Sequence, residues 1–466
     1  MFRSRTAALA AAFCVAAPCL GAAQNLTGRY QATADKLIAA ALADNEGYER
    51  LTYLCYRIGA RLSGSPALDR AVQWSVDQMK AVGLSNVRVI PAKVPHWERG
   101  AESARMVAPL DKPLHMLGLG MSIGTPPGGI TADAVAVETF EDLAKLGKEK
   151  IQGKIVVYNE EYRGYGPTRA YRATGAARAA EFGAVAALVR SVTPLAMQIP
   201  HTGEMNYSES QPKIPAAAIS PEDAMMIAKL CQQGVPVRIH LEMGAHILPD
   251  ADSGDVIGEI PGKTHPEQVV VIGGHLDSWD VGQGAQDDGA SIMACLQALA
   301  LIHKLGLQPE RTLRVAFWVN EENGGRGGEA YRAWIGDKIT DQVAAIEMDG
   351  GAEAPTGYGA GVDEHSLEML KQVAKLLEKI GAGNIRLGGG GSDIQPLVRD
   401  GVAGLSENTV GTHYFDWHHT EADTLDKVNI DDFRKNVASL AVMSFALADM
   451  PDRVVASSGG RGRRGK

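Results

Sequence analysis

Residues 269–302 read VVVIGGHLDSWDVGQGAQDDGASIMACLQALALI and give the strongest indication of the fold. This stretch opens with an apolar run typical of a buried strand, continues through a loop rich in glycine and aspartate, and ends in an apolar run long enough for a helix. A further apolar run, residues 312–319, follows that helix. Strand, helix and strand in this order need right-handed crossovers, so they predict an α/β fold whose mostly parallel sheet carries helices on both faces.

Histidine and carboxylate side chains follow successive predicted strands of this sheet. In chain order they are His275, Asp277, Asp287, Glu321, Glu322 and Asp349, with His418 and His419 near the end of the chain. Taken singly, each has a structural explanation, such as a helix cap, a solvated acidic pair or aromatic packing. Their recurrence at the carboxyl ends of strands, where ligands gather, favours a metal site. Imidazole and carboxylate together make a nitrogen and oxygen shell, which is typical of zinc.

Composition limits the partners. The chain has 466 residues, of which 45% are hydrophobic and 22% charged, the usage of an ordinary globular protein. Subtracting 55 acidic from 46 basic residues leaves a net charge of −9, which provides no broad basic surface for nucleic-acid phosphates or an anionic membrane. We therefore predict neither nucleic acid nor membrane as a partner. At roughly 150 residues per domain, the length predicts two or three domains.

The pattern of apolar runs changes between residues 100 and 248, where short β-like runs such as IVVY at 155–158 alternate with Gly/Pro loops. This pattern predicts an inserted α+β domain. The domain that surrounds it is predicted in two segments, 24–99 and 249–452. The end of the chain, 453–466, is rich in Gly and Arg and is predicted to be a flexible basic tail.

The first residues carry a compartment signal. Two arginines precede an apolar run that ends in small residues, so residues 1–23 are typical of a cleaved secretory signal peptide. We predict an exported protein, periplasmic or secreted. Of the cysteines that remain, Cys295 lies in an apolar helical run and is predicted to be a buried thiol. The sequence leaves open whether Cys55 and Cys231 form a disulfide.

Five segments of the chain carry a family resemblance. They are GGHLDSWDVGQGAQDDG at 273–289, VNEENGG at 319–325, IEMDGG at 346–351, GGGGSDIQPL at 388–397 and YFDWHHTEADT at 414–424. These segments resemble the co-catalytic di-zinc peptidases, the family of zinc aminopeptidases and glutamate carboxypeptidase II. Similarity also runs through residues 200–203 and 213–215, so it covers most of the chain. The resemblance implies a zinc exopeptidase fold for the surrounding domain and a protease-associated domain for the insert.

The resemblance also implies two Zn²⁺ ions per chain. His275 and Asp349 would hold one ion, Glu322 and His419 would hold the other, and Asp287 would bridge both. Two choices between neighbours follow the family motifs, because Asp287 comes after a Gly-Ala-x step and His419 begins an H-[ST]-x-x-D-T string. Two zinc ions held in this way activate a shared water.

Further roles are carried over by motif in the same way. Glu321 would be the general base that takes a proton from the water. Asp277 would hydrogen-bond the far nitrogen of His275 and fix its tautomer. His418 occupies the position of an oxyanion-stabilising tyrosine in glutamate carboxypeptidase II, and both that role and simple packing stay open.

The glycine run 388–391 is expected to line the substrate pocket, where Gly390, Gly391 and Ser392 would meet a substrate terminus. A nucleotide site is disfavoured there because the run lacks the GKS/T or G-x-G-x-x-G setting.

The function that follows is an exported di-zinc exopeptidase that hydrolyses dipeptides or short peptides with free termini, and the resemblance implies a homodimer. The alternatives are a broader-specificity zinc aminopeptidase and a non-catalytic, receptor-like binding ectodomain. The complete ligand set together with Glu321 favours an enzyme. The side-chain preference of the substrate and the metal loaded in the cell stay open.

Overall fold

Two eight-stranded sheets form the architecture of the protein. The computed structural model of the chain describes residues 25–210 and 212–457, so the predicted signal peptide and the end of the predicted basic tail lie outside the described residues. Strands and helices are numbered along the chain. In spatial order, the strands of the first sheet are β1 (Ser85–Glu98), β10 (His246–Ile260), β12 (Arg311–Trp318), β11 (His265–His275), β13 (Gln342–Glu347), β16 (Ala403–Thr409), β14 (Pro355–Ala360) and β15 (Asn384–Leu387).

The centre of the first sheet is parallel. The strands β12, β11, β13 and β16 all run in one direction. On one side β10 is antiparallel to β12 and β1 is antiparallel to β10; on the other side β14 is antiparallel to β16 and parallel to the edge strand β15. Every residue of β12 and β13 is buried, as parallel strands covered on both faces require. The predicted apolar runs 269–272 and 312–319 lie in β11 and at β12. The mixed α/β class is therefore confirmed.

Helices cover both faces of the first sheet. They are α1 (Leu26–Leu42), α2 (Glu46–Tyr53), α3 (Pro66–Ala81), α7 (Ala290–Lys304), α8 (Arg326–Ile335), α9 (Glu364–Ala374), α10 (Gln395–Arg399), α11 (Tyr414–Trp417) and α12 (Ile430–Asp449). The apolar run that predicts a helix at 290–302 is α7, which is buried all round and packs with α1 and α12 in the main core. On the opposite face, Tyr331 of α8 and Leu397 of α10 pack against Trp318 of β12.

Shorter helical turns connect these elements. They lie at Leu54–Ile58, Ala285–Gly289, Gly336–Asp341, Lys375–Ile380 and Leu425–Lys427.

The second sheet comes from residues 99–245, which we call the second-sheet segment. The chain leaves the first sheet at Glu98 and returns at His246, and these two residues pair with each other. In spatial order, the strands are β3 (Lys112–Leu114), β2 (Glu102–Ala108), β9 (Arg238–Met243), β5 (Ile130–Val137), β6 (Ile155–Tyr158), β7 (Ala186–Arg190), β8 (Ala216–Ile219) and β4 (Met116–Gly118). The helices α4 (Phe140–Ile151), α5 (Tyr165–Glu181) and α6 (Pro221–Gln232) cover it, and a separate apolar cluster lies on each of its faces.

The end of the described chain differs from the prediction. Residues 453–457 were expected to belong to a flexible tail, but Ala456 forms a β-bridge with Val362. Val454 is buried in the main core, and the carbonyl of Val455 accepts a hydrogen bond from the backbone N–H of Asp363 at 2.9 Å. The tail prediction is wrong for these residues, because Val454 and Ala456 pack on the main core.

The cysteines of the described chain are free. Cys295 is fully buried in α7, which confirms its prediction as a buried thiol. Cys55 lies in the main core, and Cys231 packs at the edge of a cluster in the second-sheet segment. Within residues 25–210 and 212–457, none of the helices combines the length and the apolar character that a bilayer span needs.

Candidate metal centre

The five predicted ligands meet at one edge of the first sheet. His275 ends β11, Glu322 follows β12 and Asp349 follows β13, and parallel strands bring their carboxyl ends to the same edge. Asp287 lies in the turn that precedes α7, and His419 follows α11. Strand direction thus places ligands that are up to 144 residues apart in the chain, from 275 to 419, around one point.

The ligand atoms form two groups that share Asp287. In the first group, His275 Nε2 lies 3.2 Å from Asp287 Oδ1 and 3.6 Å from Asp349 Oδ1. In the second group, His419 Nε2 lies 3.0 Å from Glu322 Oε2 and 3.3 Å from Asp287 Oδ2. One oxygen of Asp287 therefore faces each histidine, which is the arrangement of a bridging carboxylate.

Buried atoms without a partner show that these residues fit a cation. Within the described chain, His275 Nε2, Asp287 Oδ2 and Glu322 Oε1 are buried and have no hydrogen-bond partner. Leaving polar atoms unpaired inside a protein costs free energy, so each calls for a ligand. Imidazole nitrogen and carboxylate oxygen are donors that zinc accepts, and a cation between them satisfies all three atoms.

The neighbouring aspartates Asp287 and Asp288 have different contacts. Asp287 points its carboxylate at the two histidines, whereas Asp288 Oδ2 accepts the backbone N–H of His275 at 3.1 Å. Asp288 therefore braces the end of β11.

The two neighbouring histidines stack on each other, with ring centroids 3.5 Å apart. Both lie near Asp287 Oδ2, but His418 Nε2 is 3.6 Å from it and His419 Nε2 is closer, at 3.3 Å. His418 also packs against the rings of Tyr165 and Phe415. Burial lowers the pKa of both histidines well below the usual value, so both rings are neutral and able to act as ligands or neutral donors.

Burial also changes the carboxylates. It raises the pKa of Glu322 well above its usual value, and the nearby charge of Asp287 adds to this effect. Burial raises the pKa of Glu321 to about 7; the charge of Asp349 raises it further, and a hydrogen bond from Ser392 opposes the shift. Desolvated acids packed together are costly without a counter-charge, so the electrostatics of the site also favour a bound cation.

The predicted role of the Asp277 side chain is wrong. His275 Nδ1 lies 2.9 Å from the backbone carbonyl of Asp277, whereas the Asp277 carboxylate is 3.9 Å from that nitrogen. The carboxylate turns instead to the backbone N–H of Glu321, at 3.2 Å, and to the hydroxyl of Ser63, at 3.4 Å. The tautomer of His275 is still fixed, but by a main-chain oxygen.

Two buried residues hold the loop between β11 and α7. Arg61 is fully buried and donates to the carbonyls of Leu276, at 2.5 Å, and Gly284, at 3.0 Å. Asp423 accepts backbone N–H groups of the same loop. Asp423 belongs to the H-T-x-x-D-T string, which signals a supporting acid, but nothing in the sequence around Arg61 distinguishes it from a surface arginine.

Two cavities adjoin the ligands. One of about 260 Å³ is lined by the ligands Asp287, Glu322, Asp349 and His419 together with Glu321. The other, of about 440 Å³, adjoins it at Asp349, Ser392 and Tyr414, and Gly390 and Gly391 line it as well. A larger cavity of about 910 Å³ lies beside α4 and α6, and no predicted site residue lines it.

The second-sheet segment supplies part of the wall of the 260 Å³ cavity. The side chains of Tyr165, Arg169, Arg172, Glu204 and Asn206 line it opposite the ligands. Sequence reasoning missed these residues. The only signal was the family similarity of the neighbouring segment 200–203, to which no role was attached.

Comparisons with known proteins agree with this site. Residues 255–443 match the model of Peptidase family M28. Carboxypeptidase Q of Mus musculus is 42% identical over 88% of this chain and 87% of its own length, and carboxypeptidase Q of Homo sapiens matches with the same identity and coverage.

Solved structures share the architecture. The Peptidase M28 precursor from Shewanella amazonensis SB2B is 34% identical and superposes with a TM-score of 0.88, which covers 92% of this chain and 98% of that one. An aminopeptidase from Aneurinibacillus sp. strain AM-1 is 21% identical and has the same fold, with a TM-score of 0.64 over 93% of this chain and 97% of that one. The chain therefore belongs to peptidase family M28, as a zinc metallopeptidase similar to carboxypeptidase Q.

Proposed function

We propose that the chain is a di-zinc exopeptidase that hydrolyses dipeptides or short peptides with free termini. The observation that carries the proposal is the position of Asp287, whose two oxygens lie 3.2 Å from His275 and 3.3 Å from His419. With Asp349 beside the first histidine and Glu322 beside the second, each group has ligands for one Zn²⁺ ion. Two bound zinc ions supply Lewis-acid chemistry, in which a water becomes more acidic and the substrate carbonyl is polarised.

Glu321 is the proposed general base. It lines the cavity beside the ligands, and its pKa, raised to about 7 mainly by burial, suits a group that must gain and lose a proton near neutral pH. Its carboxylate takes a proton from the attacking water and returns it to the leaving amine. The Asp277 carboxylate accepts the backbone N–H of Glu321 at 3.2 Å, which holds the base at the end of β12.

The shape of the site supports a short substrate. The cavity at the ligands holds about 260 Å³, and the second-sheet segment covers one side of it. The adjoining cavity of about 440 Å³ offers Gly390, Gly391 and Ser392 to a substrate terminus. Small, partly covered spaces suit the end of a peptide better than the middle of one, and the relatives named carboxypeptidase Q are named for cleavage at a chain end.

His418 is a candidate donor to the oxyanion. Its Nε2 lies 3.6 Å from Asp287 Oδ2, and its ring packs against the aromatic side chains of Tyr165 and Phe415. A His418→Phe variant that keeps the full kcat would assign the residue to packing alone.

The remaining proposals concern the whole chain. We propose that residues 100–248 are a protease-associated-like domain inserted into a catalytic domain of residues 24–99 and 249–452. The departure and return of the chain at the paired residues Glu98 and His246 support this division. We also propose export, on the pattern of residues 1–23, and a homodimer, on the family resemblance. The N-terminal sequence of the mature protein tests export, and light scattering tests the homodimer.

The test of function compares wild type with Glu321→Gln on dipeptides that are unblocked, amino-blocked or carboxyl-blocked, with the zinc content of both proteins measured. We expect cleavage that needs both free ends and a fall in kcat of about 10²–10⁴-fold in a variant that retains two zinc ions. The exposed Glu329→Gln on α8 serves as the matched control.

Other outcomes would change the proposal. Cleavage of carboxyl-blocked dipeptides would identify a broader aminopeptidase. Absence of turnover in the zinc-loaded wild type would favour a receptor-like binding protein. Full activity of Glu321→Gln would remove Glu321 as the base.

A further inference from the structure

The second-sheet segment reaches one proposed ligand directly. The backbone N–H of Thr202 donates to the carbonyl of His419 at 3.0 Å, and Nδ1 of the His419 ring lies 3.2 Å from the carbonyl of Thr202. When Nε2 of His419 binds a cation, its proton must be on Nδ1, so the Thr202 carbonyl accepts from it. A main-chain oxygen 217 positions away in the sequence therefore sets the tautomer and the direction of this ligand.

His419 needs such support because its backbone is strained. Its φ is +63°, a left-handed conformation that residues with a side chain rarely adopt. Such a conformation persists only where the surroundings hold it in place. The paired hydrogen bonds to Thr202 hold both the backbone and the ring of His419.

Arg172 of α5 contacts both Thr202 and His419. Its Nη1 lies 3.3 Å from Nδ1 of His419, and when Nδ1 carries the proton these two donors share the Thr202 carbonyl. Arg172 is 4% exposed, and its Nη1 donates to the Thr202 carbonyl at 3.2 Å while Nη2 donates to the Tyr165 hydroxyl at 2.8 Å. Among the described residues it forms no ion pair with a carboxylate. A methyl group on the next residue, Gly203, would overlap the guanidinium, so the loop and the arginine are fitted to each other.

We propose that Arg172 is a positioning residue for the metal centre: it holds the Thr202 carbonyl against Nδ1 of His419, so that retention of the ion between His419 and Glu322 depends on the second-sheet segment. The inference rests on the proposed di-zinc site. It gives that segment a part in metal binding as well as in covering the cavity.

Because Arg172 is charged, its replacement by Met should change zinc affinity in opposite directions under the two explanations, charge repulsion and ligand positioning. Removing a positive charge beside a bound cation strengthens cation binding by Coulomb's law alone. Removing the brace of a ligand weakens it, typically by 10–100-fold. Arg169 lines the same cavity three residues earlier on α5 and is exposed, so Arg169→Met removes a comparable charge without touching Thr202.

The experiment measures zinc release from the full-length, zinc-loaded protein to a chromogenic chelator. We expect two release phases in wild type, and in Arg172→Met one phase that is faster by about 10–100-fold while the other changes little. Arg172→Lys, which keeps the charge and one donor, should lie between. Arg169→Met should release zinc at the wild-type rate or more slowly. The Co²⁺-substituted proteins should show a changed absorption spectrum for Arg172→Met and an unchanged one for Arg169→Met.

A second variant reaches the same contact from the loop. Gly203→Ala displaces the guanidinium and also strains the loop, because the φ of Gly203 is +142°. It should accelerate the same phase, while urea denaturation shows that the variant remains folded. The inference is overturned if both phases of Arg172→Met and Gly203→Ala stay within twofold of wild type, or if Arg169→Met accelerates release equally. A wild type that binds no zinc would instead overturn the proposed function itself.

Discussion

The carboxylate of Asp423 holds the proposed bridging residue Asp287 by its main chain. Asp423 Oδ2 accepts the backbone N–H of Asp287 at 3.2 Å, and Oδ1 accepts that of Gln286 at 2.7 Å. The proposed bridging carboxylate therefore projects from a backbone that is held at two successive N–H groups. The acid that fixes it follows His419 by four residues, so one short segment carries a ligand and supports another.

Replacing Asp423 by Asn should loosen this arrangement. The amide exchanges one acceptor for a donor, so one buried backbone N–H loses its partner at a cost of about 1–3 kcal/mol in the free energy of unfolding. We expect faster zinc release, by about 10-fold or more, in the chelator assay. Asp426→Asn, at an exposed aspartate three residues later, is the control. Equal zinc release from both variants would contradict a positioning role for Asp423.

Replacing Arg61 by Met should destabilise the loop that carries Asp287. The buried guanidinium donates to the carbonyls of Leu276, Gln283 and Gly284, and methionine removes these hydrogen bonds, so that the Gly284 carbonyl keeps only the backbone N–H of Gly289. We expect the free energy of unfolding to fall by about 2–5 kcal/mol, measured by urea denaturation. Arg70→Met removes an exposed arginine of α3 and should change stability by less than about 0.5 kcal/mol. A similar small loss for Arg61→Met would show that water replaces its hydrogen bonds.

A methyl group at Gly391 should disturb the substrate cavity without removing metal. The added atom would overlap the carboxylate of Glu347, which is buried and held by the backbone N–H of Ile394 at 2.9 Å. Because Glu347 is held, the glycine run must move. We expect kcat/KM of Gly391→Ala to fall about tenfold or more for dipeptides, with unchanged zinc content. Gly166→Ala, where an added methyl meets no neighbour within 4 Å, is the control. Unchanged kcat/KM in Gly391→Ala would place substrate elsewhere.

Glu407 should make stability depend on pH. It is 5% exposed, and burial raises its pKa from 4.5 to about 8, while the nearby hydroxyl of Ser439 opposes the shift. The folded state therefore keeps a proton that the unfolded state releases, so stability is greatest below the unfolded pKa and falls as pH rises from about 4.5 through about 8.

Glu407→Gln, which resembles the protonated acid, should abolish this loss. At one pKa unit per 1.36 kcal/mol, we expect the variant to exceed wild type in unfolding free energy by about 5 kcal/mol at most at pH 9, and to match it near pH 4.5. Urea denaturation at both pH values provides the measurement, with the exposed Glu378→Gln as control. Parallel pH curves for wild type and Glu407→Gln would show that Glu407 does not titrate in this range.

Long apolar runs made the sheet predictable. The segments that form β11, α7 and β12 are apolar over most of their length, so they must be buried. The length and spacing of their apolar residues therefore predict which are strands and which is a helix. The tail at 453–457 was not predictable in this way, because Val454 enters the core through contacts with residues far away in the chain. Arg61 was missed for a similar reason: its partners are carbonyl groups, and every residue carries one.

The pattern of apolar runs predicted that histidine and carboxylate side chains gather at strand ends that a parallel sheet must bring together. The family resemblance then singled out His275, Asp287, Glu322 and Asp349 among them as proposed ligands. The contacts that hold those side chains in place became visible only in the folded chain. The Nδ1 nitrogens of His275 and His419 both face main-chain oxygens, one two residues away and one on the second-sheet segment. Every residue has a main-chain carbonyl, so the sequence does not indicate which carbonyl accepts from a given histidine. Tertiary packing determines it.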